Sequence, residues 1–168
     1  MNLLSDERVS TANNRGGLLI DTNLLVLFVV GAVNANRIEK FKRTQRYRRE
    51  DYEFPVDFIG RFGSLYTVAH VLSEVSNLTD MSGAERLLAR RVLAKIITTL
   101  DEPHVPSAQA SSGPPYETLG LTDAAISAVV RERKCAVLTD DFDLYYLLAR
   151  QGLPIFNFTH LRAGEGLI

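Results

Sequence analysis

The sequence predicts an α/β domain built on a mostly parallel sheet. Short apolar runs bounded by turn residues alternate with longer segments of helical periodicity, the pattern of strands linked by covering helices. Two acids, Asp21 and Asp141, lie just past the C-terminal ends of predicted strands, and Asp123 begins a predicted helix. Ligands of open parallel sheets gather at that edge, where the strand order reverses. A chain of 168 residues is the size of one domain, and one of that size buries roughly 70% of the surface its unfolded form exposes. Residues 18–168 therefore read as a single domain, preceded by a loosely held tail over 1–17.

Taken in order, the strands are Leu18 to Asp21, Leu65 to Thr67, a weak one near His104-Val105-Pro106, Cys135 to Thr139, and Pro154 to Asn157. The strongly apolar Leu24 to Val30 follows the first. Asn34 to Phe62 is a charged excursion, longer than a normal connection. After Thr67, Val68, Val71, Leu72, Val75 and Leu78 recur at helical spacing, with Glu74 on the edge of that stripe. Ser82 to Leu100 places Leu87, Leu88, Val92, Leu93, Ile96 and Ile97 on one face, opposite Arg86, Arg90 and Lys95. Ser107 to Thr118, rich in Ser, Pro and Gly, reads as an exposed loop. Thr122 is the N-cap expected for a helix carrying Ile126, Val129 and Val130, whose cationic end Arg131-Glu132-Arg133-Lys134 suits the helix dipole. Leu144 to Arg150 is a shorter helix, stopped by Gly152 and Pro154.

Composition narrows the classes. The single cysteine, Cys135, excludes an intrachain disulfide, and its apolar flanks predict a buried thiol, compatible with a reducing, cytoplasmic setting. Met1 to Gly17 lacks the basic start and apolar core of a secretory signal. The longest apolar stretch, Leu24 to Val33, has ten residues, whereas a helix needs roughly 20 to cross a bilayer, so no membrane partner is expected. Charge is divided unevenly. Arg37, Lys40, Lys42, Arg43, Arg46, Arg48 and Arg49 face one acid, Glu39, a local charge of +6 that leaves −7 for the rest of a chain totalling −1. Such a division suits a protein that holds phosphate on one patch and cations in another, and a solvated basic helix docking Ile38 and Phe41 has the same pattern. Phe41, Tyr47, Tyr52 and Phe54 lie among these cations, and aromatic faces between cations are what a single strand stacks on.

Four acids are embedded in otherwise apolar elements: Asp21, Glu74, Asp123 and Asp141, the last directly after Asp140. A carboxylate at the mouth of a buried strand is costly unless it meets a cation or donors, so they are expected to converge on divalent metal. Hard cations such as Mg²⁺ or Mn²⁺ choose oxygen ligands, and His70, His104 and His160 have no ligand spacing to one another that would suggest zinc. Such ions supply what phosphodiester cleavage needs, an in-line nucleophile and neutralisation of the attacking and leaving oxygens. Tyr145 and Tyr146 beside Leu144 read as packing residues, and no Gly-rich phosphate loop is present.

Leu-Ile-Asp21-Thr22-Asn23, Glu74 in an apolar helix, Leu-Thr122-Asp123-Ala-Ala-Ile, and Val-Leu-Thr139-Asp140-Asp141-Phe-Asp143-Leu followed by Gly-Leu-Pro-Ile occur in that order between Leu18 and Phe158. The chain thereby resembles the PIN-domain ribonucleases, a family that includes toxins of bacterial toxin-antitoxin pairs. The resemblance implies a three-layer α/β/α sandwich of the 5′-nuclease-like kind with a mostly parallel central sheet, and Mg²⁺- or Mn²⁺-dependent cleavage of RNA. It also implies a homodimer and, for a toxin, a cognate inhibitory protein. Residue by residue it makes Asp21, Glu74, Asp123 and Asp141 the catalytic, metal-holding acids and a metal-held water the nucleophile. Asn23 and Thr139 become supporting polar groups and Asp143 an auxiliary acid. The pattern Thr-x-Asp favours Asp141 over its neighbour Asp140, which is then a supporting residue, and Arg37 to Arg49 is the expected RNA-binding stretch.

Two other readings compete. Asp21-Thr-Asn with a late Thr-Asp140-Asp141 resembles the haloacid dehalogenase phosphatases, with Asp21 as nucleophile, although Asn23 stands where that family has its general acid. A catalytically idle module that holds RNA or a protein through the basic stretch would need none of the acids. Structurally, Asp123 could favour the positive end of a helix, Asp140 or Asp141 could cap the next one, and Glu74 could be a solvated edge residue.

Overall fold

Leu18, Leu19 and Ile20 offer no polar face, so a strand made of them has to be covered on both sides, which is the position of a central strand in a parallel sheet. The computed structural model, which describes residues 16–164, places them there. The sheet has the order β2-β1-β3-β4 and is parallel throughout, with β1 (Gly17–Ile20), β2 (Ser64–Tyr66), β3 (Ala136–Thr139) and β4 (Ile155–Asn157). Leu19 pairs with Tyr66 on one side and with Val137 on the other. Leu18, Leu19, Val137 and Leu138 are fully buried, each contributing about 1.5–3 kcal/mol relative to exposure. The tail expected over 1–17 lies outside the described residues apart from Gly16 and Gly17, and Gly17 already belongs to β1.

Among the described residues nine helices surround this sheet in a three-layer α/β/α arrangement. They are α1 (Thr22–Val33), α2 (Glu50–Ile59), α3 (Ala69–Leu78), α4 (Ala84–Ile97), α5 (Ser107–Ala110), α6 (Pro114–Leu119), α7 (Leu121–Arg133), α8 (Phe142–Arg150) and α9 (Phe158–Gly164). Helix α1 packs on α3 and α4, and α7 packs on α5 and α6. Gly31 lets α1 pass beside Tyr52, because a Cβ at that position would run into the tyrosine ring.

Several local expectations are corrected. The segment His104-Val105-Pro106 is not a strand: Pro103 and Pro106 lack the N–H a ladder needs. The edge of β2 is met instead by Asp101, through a single parallel bridge to Tyr66 and bonds of 2.8 and 3.0 Å with Leu65 and Thr67. Ser107 to Thr118 is not a plain loop but holds α5 and α6, the second opened by Pro114, whose fixed φ suits a first helical turn. Thr122 is not a cap, since α7 begins at Leu121 with Gly120 before it, at a φ of 91° that favours glycine.

The predicted apolar face of α4 is only half used. Ala89 and Leu93 are buried and Val92 and Ile96 half-buried, while Leu87, Leu88 and Ile97 remain exposed. A helix of an outer layer contacts its neighbours along a narrow stripe, and small Ala89 sets that stripe. The basic stretch forms no solvated helix: a short 3₁₀ turn, Ala35–Arg37, leads into successive turns, with Ile38 buried and the Thr44 hydroxyl donating to the Ile38 carbonyl at 2.7 Å. Its aromatics are not free stacking faces. Tyr47 is buried, and Phe41, Tyr52 and Phe54 pack half-buried against the core.

Candidate active site

The strand order rises on opposite sides of the β1–β3 boundary, since the chain leaves β1 toward β2 and returns to β3 on its other flank. Asp21 follows β1 and Asp141 follows β3 by two residues, so the two acids stand at the switch point. Asp21 is 4% exposed and caps α1: its Oδ1 accepts from the Thr22 amide at 2.6 Å. Its Oδ2 accepts from the Thr139 hydroxyl at 2.6 Å, and the same hydroxyl oxygen accepts from the Asp141 amide at 2.9 Å. Thr139, the last residue of β3, thus ties together two acids that are distant in sequence. Asp141 caps α8, its Oδ1 accepting from the amides of Asp143 and Leu144 at 2.8 and 3.1 Å.

Two helices bring the other acids. Glu74, on α3, has one oxygen taken by the Thr22 hydroxyl at 3.0 Å and the other by the Thr122 hydroxyl at 2.6 Å. Asp123 lies in the first turn of α7. Asp21, Asn23, Glu74, Asp123 and Asp141 line one cavity of about 340 Å³. Burial, reinforced by the charges of Asp141 and Glu74, pushes the Asp21 carboxyl up to about 6 against the bonds from Thr139 and Thr22. Burial also pushes Asp123 up to about 7, and Asp21, Asp141, Glu74 and Asp143 all add repulsion. Asp143 does not line the cavity, yet its field reaches Asp123.

Among the described residues no group of three or more His, Cys, Asp or Glu side chains stands arranged to hold a metal ion as it is. The fit to a hard cation therefore rests on donor chemistry: carboxylate oxygens converge on one polar space, where burial and then the neighbouring charges hold Asp21 and Asp123 back from ionising.

Asp140 faces elsewhere. Its Oδ2 accepts from the Tyr47 hydroxyl at 2.9 Å and lies 3.2 Å from the Arg46 guanidinium, while its Oδ1 accepts from Thr159 at 2.7 Å. Arg46 also donates to the Tyr47 oxygen at 2.8 Å and stacks over that ring. Burial, the Asp140 charge and the bond to it push the Tyr47 hydroxyl well above its ordinary range. This network pins the basic stretch next to Asp141. Of its cations, Arg37 pairs with Glu85 at 3.1 Å, and Lys40, Lys42, Arg43, Arg48 and Arg49 are exposed without an ion pair among the described residues.

With the order of elements, the switch-point acids and their shared cavity in view, comparison with protein-family models matches the PIN domain over residues 18–148. The chain belongs to the PIN domain family. PIN domains are nucleases, hydrolases that act on nucleic acid. Comparison with curated proteins finds no match. No helix of this PIN domain, among the described residues, is long and apolar enough to cross a membrane.

Three hydroxyls that bond the acids of this PIN domain have no such part written in its sequence. Thr122 reads as a cap but holds Glu74, and Thr22 does the same from the other side. Thr159 carries no sequence signal at all for its bond to Asp140. Asn23, two residues past Asp21, lines the cavity with an amide where the phosphatase reading needs a carboxylic acid.

Proposed function

We propose that this PIN domain is a divalent-metal-dependent endoribonuclease, with Asp21, Glu74, Asp123 and Asp141 as the acids that hold Mg²⁺ or Mn²⁺. One observation carries the reading: carboxylates from the end of β1, from α3, from α7 and from the β3–α8 turn line one cavity, where burial, reinforced by the charges of their neighbours, raises Asp21 and Asp123. When bound, such an ion neutralises charge on the attacking and leaving oxygens of a phosphodiester. The chain's own residues do the positioning. Thr139 keeps Asp21 and Asp141 in register, Thr22 and Thr122 orient Glu74, and Asn23 offers an amide at the cavity wall. The exposed cations of the basic stretch supply sequence-independent attraction for the phosphate backbone, and the choice of RNA follows the resemblance of the four motifs to PIN-domain ribonucleases.

The test is incubation with mixed cellular RNA in Mn²⁺ or in EDTA, with Asp21→Asn as control. Fragments are expected with Mn²⁺ and none with EDTA or the variant. Equal cleavage in EDTA, or by Asp21→Asn, would overturn the assignment.

A further inference from the structure

The aromatic residues of the basic stretch are packed inward, yet an exposed aromatic stands on the helix that follows Asp141. Tyr146, which reads from sequence as a packing residue, is 61% exposed, one of the most open large side chains among the described residues. It lies on α8, the helix that Asp141 caps. Asp143, Tyr146, Leu147 and Arg150 recur at helical spacing and form one wall of a second cavity, of about 610 Å³. Thr118 and Leu119 of α6 form the facing wall. Leu119 also lines the acidic cavity, so the two spaces adjoin across that side chain.

We propose that this second cavity is a subsite for a single-stranded stretch of the RNA as it leaves the acids, with Tyr146 stacking on a base and Arg150 meeting a phosphate. The proposal rests on the endoribonuclease reading. Three features favour a nucleic-acid strand over a protein partner. The cavity adjoins the acidic cavity across Leu119, next to the place where a phosphodiester must sit. Its wall joins an open aromatic face to a cation just over one helical turn away, about 6 Å along the axis. Arg150, exposed, makes no ion pair among the described residues. An aromatic face beside a cation is the sequence-tolerant device by which proteins track single strands. A duplex cannot offer an unstacked base to Tyr146, so the subsite discriminates strand state rather than sequence.

The experiment compares the full-length protein with its Tyr146→Ala, Tyr146→Phe and Arg150→Gln variants in Mn²⁺, on an unstructured twelve-nucleotide RNA and on the same RNA annealed to its complement. Tyr146→Ala is expected to raise KM for the single strand by roughly 5- to 100-fold, from the usual worth of one base–aromatic stack. Tyr146→Phe should restore the wild-type value, because stacking needs the ring and not the hydroxyl. Arg150→Gln should raise KM and flatten its dependence on salt. Cleavage of both RNAs by the wild type with an unchanged KM in Tyr146→Ala, or with equal losses on single strand and duplex, overturns the subsite and leaves the nuclease reading intact. Loss of binding to a protein partner without any change in KM also overturns it. If the wild type cleaves neither RNA, the endoribonuclease reading fails and the subsite falls with it.

Discussion

Asp140 and Asp141 are neighbours in sequence and opposites in circumstance. Asp140 is met by a tyrosine hydroxyl, a threonine hydroxyl and a guanidinium, so its charge is satisfied within the chain. Asp141 turns into a cavity whose other walls carry Asp21, Glu74 and Asp123, with a single oxygen engaged by the helix it caps. Polar groups taken out of water are costly unless partnered. Where the fold supplies a guanidinium beside the hydroxyls, the acid serves stability; where it gathers acids around one cavity and gives them only hydroxyl and amide donors, the fold leaves a place for a cation from outside. The difference separates a carboxylate satisfied within the chain from one that the proposed cation would meet, without reference to how either is placed in sequence.

The largest expected effect is the exchange of roles between these regions on substitution. Asp21→Asn should lower RNA cleavage by ~10²- to 10⁴-fold, the usual range for losing a positioned group of the reacting centre, while leaving the metal-free protein at least as stable at pH 8. Asp140→Ala should do the reverse, removing about 3 kcal/mol of folding stability as Tyr47 and Thr159 lose their acceptor, with cleavage per folded molecule changed far less. Urea unfolding and initial cleavage rates on both variants decide the matter. A stable, inactive Asp140→Ala protein would break the contrast and move that acid into the reacting centre.

A second effect concerns pH. The carboxyls of Asp21 and Asp123 are raised from 3.8 to about 6 and about 7 in the folded protein. Between the unfolded and folded values the native state binds more protons than the unfolded one, so stability falls as pH rises through that window. The metal-free protein should therefore be most stable near pH 4 with respect to these two groups and lose stability up to about pH 7, Asp21 alone accounting for on the order of 3 kcal/mol. Denaturation midpoints across pH 4 to 8 in EDTA measure this loss. Mn²⁺ should abolish most of it at the upper end, whereas a pH-independent profile would mean that neither burial nor the neighbouring acids raise these two carboxyls.

Much of this organisation is legible in the sequence because it is written in local terms. Leu18 to Ile20 and Ala136 to Thr139 have no polar side to offer, so both must be central strands, and acids directly after them fall at the ligand-binding edge. Glu74 and Asp123 take their places from helical spacing and order. What is not legible depends on which surfaces meet. Nothing in the spacing of α4 says that Leu87, Leu88 and Ile97 stay outside, because periodicity orders a face without fixing how wide its contact is. The basic stretch looks like a solvated helix until Tyr47 finds Asp140 some 93 residues away. Tyr146 has the composition of a core residue and the environment of a surface one.

The smallest effect tests whether hydroxyls at the acidic cavity tune the acids or only decorate them. Thr122→Val keeps the shape of the side chain and removes the donor that stands 2.6 Å from Glu74. Glu74 is exposed and keeps its bond from Thr22 at 3.0 Å, so the fold should lose no more than about 1 kcal/mol. Freed on one side, the carboxylate samples more orientations and meets a cation less often in the productive one. The Mn²⁺ concentration giving half-maximal cleavage should rise about two- to tenfold, as one modest hydrogen bond allows, with the maximal rate little altered. A fall in the maximal rate at saturating Mn²⁺ would instead place Thr122 in contact with the substrate. No change in either quantity would mean that Thr22 alone fixes Glu74, and that the first turn of α7 contributes to the cavity through Asp123 only.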